Sequence, residues 1–176
     1  MKSLVKKIGL GLLAVLVIIQ FIRIDKTNPA VEPGKDFLAA AGVPAETGQL
    51  IKAACYDCHS HHTIYPWYTN VAPVSWWIKK HINEGRKHLN FSTWADYDAK
   101  KKDHKLEECV EEVKEGHMPI ASYTWMHPEA KLSQQQKEQL VAWFDAYRRN
   151  APHETPSVPI DRPASSEEEE EDEDGK

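Results

Sequence analysis

The sequence predicts an all-α domain behind a single N-terminal helix. Apolar residues through the middle of the chain recur at the helical period, and no stretch alternates apolar and polar residues for long enough to make a sheet. The 176-residue chain has room for one compact domain, and its first and last two dozen or so residues have compositions that do not join a core.

The N-terminal segment comes first. Met1 to Lys7 carries Lys2, Lys6 and Lys7, and the apolar run Ile8 to Ile22 that follows is broken only by Gly9, Gly11 and Gln20, the layout of an export signal. No small-x-small cleavage site follows Ile22, so residues 1–26 read as an uncleaved signal anchor, a single transmembrane helix. The run falls somewhat below the roughly 20 residues of an average span, and a cleaved signal peptide is the second reading. No cysteine near the end of the run offers the common bacterial lipoprotein route. The lysines put the N-terminus in the cytoplasm and the rest outside: a single-pass protein of the bacterial inner membrane with its domain, 27–150, in the periplasm.

Within that domain a short helix is expected from Gly34 to Ala41, ended by Gly42 and Pro44, and a second from Pro44 to about Ala54, running directly into two cysteines. A third spans Val74 to His88 with Trp76, Trp77, Ile78 and Ile82 at buried spacings. Asp98 to Glu115 places Leu106, Val110 and Val113 on one stripe, with Gly116 as its stop. Ser133 and Gln136 form a capping box for the last helix, Gln134 to Arg149, whose broad apolar face holds Leu140, Val141, Trp143, Phe144 and Tyr147.

Residues 151–176 read as a disordered Pro-rich and acidic tail, with Pro152, Pro156, Pro159 and Pro163 ahead of the unbroken acidic run Glu167 to Asp174. Up to residue 166 the chain is nearly neutral, so the net charge of −5 belongs to the tail. Solubility or spacing is one use of such a tail; docking to a basic partner is the other. There is no internal repeat, no nucleotide-binding glycine loop and no serine-nucleophile elbow, and no nucleic-acid partner is expected.

The chemistry lies in Cys55, Tyr56, Asp57, Cys58 and His59, which spell C-x-x-C-H, the attachment motif for a c-type haem. Two thiols one helical turn apart reach the two vinyl groups of a porphyrin and add across them. The next residue, His59, is thereby held under the iron as proximal ligand. Export agrees with this reading, because bacterial c-type haem is attached outside the cytoplasm. Two other readings stay open: a Cys55–Cys58 disulfide, and zinc held with the help of His59, His61 and His62, although the only other cysteine is Cys109. Cys109 is read as a buried thiol without a function.

The redox behaviour depends on the second axial position. Met118 is the candidate, in Gly116-His117-Met118-Pro119, where glycine permits a sharp turn and proline stiffens the chain behind the thioether. Met126, His117, His61, His62 and His81 are the alternatives, and an ordinary core contact is the plain reading of Met118. Tyr65, Pro66, Trp67, Tyr68, Trp76 and Trp77 suit a haem cover or ordinary core equally.

Taken together, Cys55-Tyr-Asp-Cys-His-Ser60, Thr63-Ile-Tyr-Pro-Trp-Tyr68, Pro73-Val-Ser-Trp-Trp77, His81-Ile-Asn-Glu-Gly85, Leu89-Asn-Phe-Ser92, Lys105-Leu-Glu-Glu108, Gly116-His-Met-Pro119 and Ser122-Tyr-Thr124 give the chain, from about Gly34 to Tyr147, a sequence that resembles the small bacterial haem-binding domain family. The resemblance implies a cytochrome c-like helical haem domain behind one N-terminal anchor, with His59 as proximal ligand and Met118 at the family's Met-Pro position. Members usually carry an acidic residue before that methionine, where this chain has His117.

The function expected is a mono-haem c-type cytochrome, one covalent haem c with its iron, that transfers one electron to a redox partner protein and is not an enzyme. The alternatives are a haem-based gas or redox sensor or haem enzyme with an open axial site, and a non-haem zinc-binding structural domain.

Overall fold

The structure is a computed structural model that describes residues 1–150; the tail expected over 151–176 lies outside the described residues. Among the described residues all regular structure is helical, as the apolar periodicity predicts.

Helix α1, Lys2–Ile19, buries none of its residues. No helix among the described residues is long and apolar enough to cross a membrane. The 18 residues of α1 rise about 27 Å, and Lys2, Lys6 and Lys7 take up its first two turns. The transmembrane helix expected over 1–26 is therefore not supported. The apolar run continues to Ile22, but the helix stops short of it because the Gln20 side chain is captured by the domain: its amide donates to the Ala72 carbonyl at 3.0 Å and accepts from the Ala72 N–H at 2.9 Å.

The short helix expected from Gly34 to Ala41 divides into a 3₁₀ turn, Pro33–Lys35, and α2, Phe37–Ala40. Asp36 separates them, in extended conformation, and caps α2 by accepting from the Leu38 N–H. Helix α3, Ala45–Ile51, continues through a π-helical turn, Lys52–Tyr56, into α4, Asp57–His59. The expected second helix thus carries the whole C-x-x-C-H motif, with Cys55 in a widened turn of the kind that gathers at functional sites.

Helix α5 spans Val74–His88, as predicted. Only part of its expected core face is buried: Ile82 is enclosed, but Trp77 is 46 % exposed, because the first turns of α5 lie at the domain's surface. Asp98 caps α6, Ala99–Glu115, by accepting from Lys101 N–H, and Gly116 ends it in the left-handed conformation at φ +79°. A short helix the sequence did not reveal, α7, Ala121–Met126, follows. Helix α8, Gln134–Asn150, opens with the predicted capping box: Ser133 N–H donates to Gln136 Oε1 at 2.8 Å and Gln136 N–H to Ser133 Oγ at 3.2 Å.

Phe37 stands at the centre of the core, fully buried, with its ring 5.0 Å from Phe91, 4.8 Å from Trp94 and 6.2 Å from Phe144. Leu106 and Val113 of α6 and Leu140 of α8 close the same cluster, with Cys109, Val110, Val141, Trp143 and Tyr147 packed around it. Arg148 clamps α8 to α6, reaching Asp103 at 2.6 Å and Glu107 at 3.0 Å. This core holds the motif-bearing helix from one side, with Ala54 and Tyr56 buried in it.

Candidate functional site

The first variable residue of C-x-x-C-H is an anchor. The Tyr56 ring stacks on Phe91 at 5.3 Å and 12°, and its hydroxyl donates to Asp36 Oδ1 at 2.9 Å. Burial, and then the Asp36 carboxylate, push this phenol well above its usual range. It stays a neutral donor. With Tyr56 pointing into the core, Cys55 and Cys58 sit half-buried as free thiols. Burial raises Cys55 to about 12, with the neighbouring Cys58 adding to it, and raises Cys58 to about 11, where Asp57 adds and Arg86 opposes.

His59 is oriented by α5. Its Nδ1 lies 3.0 Å from the Gly85 carbonyl and 3.2 Å from that of Leu89. A carbonyl only accepts, so Nδ1 carries the proton and Nε2 keeps its lone pair. Burial holds the imidazole below its usual pKa, against the two carbonyls, which raise it; nearby His88 lowers it further. The neutral form with a free Nε2 is the form that binds a metal.

Gly85 allows this closeness. A Cβ on it would meet the Cys58 carbonyl oxygen at 2.7 Å, so α5 approaches the motif as only glycine permits. Next to it, Arg86 Nε donates to the Ser60 carbonyl at 2.7 Å, while one terminal nitrogen reaches Asn28 Oδ1 at 2.9 Å and Thr63 Oγ1 at 2.8 Å. The chain leaving the motif is thus tied to α5 at successive positions.

Asp57, the second variable residue, ties the motif to two other segments. Its Oδ1 accepts from the Ile64 N–H at 2.9 Å and its Oδ2 from the Tyr123 hydroxyl at 2.8 Å. Tyr123 belongs to α7 and stacks on His127 at 4.3 Å. His127 Nδ1 faces Glu129 at 3.0 Å, so its Nε2 accepts from the Tyr68 hydroxyl, 2.6 Å away.

The structure brings Cys55, Cys58 and His59 together on one helical stretch. Met118 is half-buried in the segment between α6 and α7, with its N–H on the Glu112 carbonyl at 3.1 Å. Helix α7, which follows it, reaches the motif through the Tyr123 bond to Asp57. Of the histidine alternatives, His61 has both ring nitrogens engaged, by the Ala30 carbonyl and by Asn90, each at 2.9 Å. His81 donates to the Trp77 carbonyl, His117 pairs with Glu112 and Glu115, and His62 is exposed 3.8 Å from Asp36. Met126 is half exposed at the end of α7. Among the described residues no three His, Cys, Asp or Glu side chains gather to hold a metal ion, so the zinc reading lacks a ligand set.

Sequence reasoning missed Gly85, Arg86, Asp57 and Tyr123 as supporting residues. A glycine inside an otherwise good helix was the signal for Gly85; the others gave none, because their partners lie far along the chain.

The residues present fit a haem. Two adjacent thiols and a neutral imidazole with a committed Nδ1 supply attachment and a ligand. Trp125, 90 % exposed, leaves apolar surface on α7, which is hydrogen-bonded to the motif through Tyr123. No curated protein and no solved structure matches the chain. The model of the haem-binding domain matches residues 14–146, three quarters or so of its length, and the chain belongs to that haem-binding domain family.

Proposed function

We propose that this protein is a mono-haem c-type cytochrome that carries one electron outside the cytoplasmic membrane. The observation that carries the reading is the meeting of the free Cys55 and Cys58 thiols with a His59 whose Nδ1 is committed to the Gly85 carbonyl. Bound haem supplies an iron that alternates between ferric and ferrous states. Cys55 and Cys58 would hold the macrocycle through thioethers, and His59 Nε2 and the Met118 thioether would ligate the iron. A neutral imidazole with a soft sulfur would favour the ferrous state, which suits electron transfer to a partner protein rather than catalysis.

In this reading the domain lies in the bacterial periplasm and the run Ile8 to Ile22 attaches it to the inner membrane. The stems of Lys6 and Lys7 lengthen that run by reaching their charges to the headgroups.

The test is expression of the full chain with a c-type maturation system, followed by denaturing electrophoresis and by spectra of both oxidation states with carbon monoxide. Haem that stays with the denatured chain and a low-spin spectrum indifferent to carbon monoxide are expected. Haem lost on denaturation overturns covalent attachment; a shift with carbon monoxide replaces the carrier with a sensor or enzyme.

A further inference from the structure

Beside the end of α1 lies an exposed apolar surface that the haem reading leaves mostly unused. Ile64, Trp67, Val71, Val74 and Trp77 are all exposed, and so are Phe21 and Ile22 next to them. Exposed apolar groups scattered singly need no explanation, but a group gathered in one place does. These are gathered by structure: a 3₁₀ turn, Trp67–Asn70, leads into α5, the Ser75 N–H bonds the Val71 carbonyl, and Val74 and Trp77 stand one turn apart on α5.

The same stretch grips the chain that leaves α1. Besides the Gln20–Ala72 pair, Trp76 Nε1 donates to the Ile22 carbonyl at 3.0 Å, and Arg23 and Lys26 reach Asn70 at 2.7 and 2.6 Å. The face is therefore held level with the end of a helix none of whose apolar side chains is buried.

Its charge is one-sided. Residues 61–80 include Lys79 and Lys80 and no Asp or Glu. Arg23 and Lys26 line a cavity of about 400 Å³ together with Thr69, Asn70 and Ser75. Lys26 and Lys79 each lie 6.0 Å from the Tyr65 ring, whose buried hydroxyl has no partner. Asp25, the acid within this part of the chain, is occupied by the Thr27 N–H at 2.8 Å.

We propose that this face rests on the surface of an anionic phospholipid bilayer, with Trp67 and Trp77 in the interface and Arg23 and Lys26 at the headgroup phosphates. Tryptophan beside cationic side chains is the composition that settles at a membrane boundary. The inference rests on α1 attaching the chain to the membrane and adds that the haem domain lies down on it in one orientation. Helix α5 then leads from the bilayer at Val74 to the motif at Gly85, about 16 Å along its axis.

The test uses the full chain in vesicles of phosphatidylethanolamine and phosphatidylglycerol, comparing tryptophan fluorescence in ordinary lipids and in lipids brominated near the headgroup. The wild type is expected to be quenched at least about twofold more than the Trp67→Phe/Trp77→Phe variant, and Arg23→Gln/Lys26→Gln is expected to reduce the quenching in phosphatidylglycerol. Equal quenching of wild type and tryptophan variant on a chain that sediments with the vesicles overturns the docking and leaves attachment by α1 standing. A chain that does not sediment with vesicles, while keeping its haem spectrum, overturns both attachment and docking and leaves the cytochrome reading intact.

Discussion

The His59 imidazole and the Gly85 carbonyl meet at 3.0 Å, and the hydrogen on the Gly85 Cα faces the Cys58 carbonyl where any side chain would collide with it. One residue of α5 therefore both accepts from His59, which fixes the ring proton on Nδ1, and leaves room for the motif to come close enough for that bond.

Gly85→Ala separates these roles. Alanine improves the helix by roughly 1 kcal/mol, but its methyl would meet backbone at 2.7 Å, and backbone yields less readily than a flexible side chain. A net loss of about 1–2 kcal/mol in urea unfolding is expected, together with weaker haem incorporation. Unchanged stability would show that α5 and α4 can part at no cost.

The depressed pKa of His59 gives a signed pH dependence in the haem-free protein. The unfolded imidazole titrates near its ordinary 6.5 and the folded one lower, so between the two the unfolded state binds more protons and stability rises with pH. Urea midpoints are expected to fall as pH drops below about 6.5, with the fall complete below the folded pKa. His59→Asn should flatten that part of the profile relative to wild type; a profile that stays the same assigns it to other histidines.

Thiol reactivity checks the burial of the motif. With Cys55 at about 12 and Cys58 at about 11, their thiolate fractions at pH 8 are roughly two orders of magnitude or more below that of an ordinary cysteine. Iodoacetamide is expected to label the folded haem-free chain at least tenfold more slowly than the urea-unfolded chain, as read by intact mass. Equal rates would mean that the motif is open before haem arrives.

The Met118 assignment and its tether make a graded pair. Met118→Ala is expected to turn the spectrum high-spin in part and sensitive to carbon monoxide. Tyr123→Phe removes the 2.8 Å bond to Asp57, a bond to a charged group worth about 1.5–3 kcal/mol, and should loosen the same segment without removing the sulfur. An intermediate response to carbon monoxide in Tyr123→Phe supports the tether. Indifference to carbon monoxide in Met118→Ala would give the sixth position to another side chain.

Much of the fold was legible because it is written in short spacings. Val74 to His88, the stripe of the helix expected from Asp98, the Gly116 stop and the Ser133–Gln136 box each depend on residues three or four apart, and all appear within a residue of where the pattern puts them. The C-x-x-C-H motif is local in the same sense. What failed was inference from an apolar residue to a buried one: Trp77 belongs to the helix foreseen but faces outward, since periodicity tells which residues share a face and leaves open what covers it. The break between Pro33–Lys35 and α2 was missed for a related reason, because Asp36 leaves helical conformation to cap α2 and to receive the Tyr56 hydroxyl twenty residues on.

The sequence by itself determined the helical class, the extents of α5, α6 and α8 and the five-residue motif on which the haem proposal rests, since caps, periodicity and such a motif all act within a turn or two of helix. Only the tertiary structure decided which imidazole nitrogen is free, why residue 85 is glycine, how Asp57 reaches Tyr123 and where α1 stops. Those depend on pairs such as His59 with Gly85, Asp57 with Tyr123 and Gln20 with Ala72, brought together by packing around Phe37 and by the fixed path of α5, and neither residue of such a pair carries a local mark of the other.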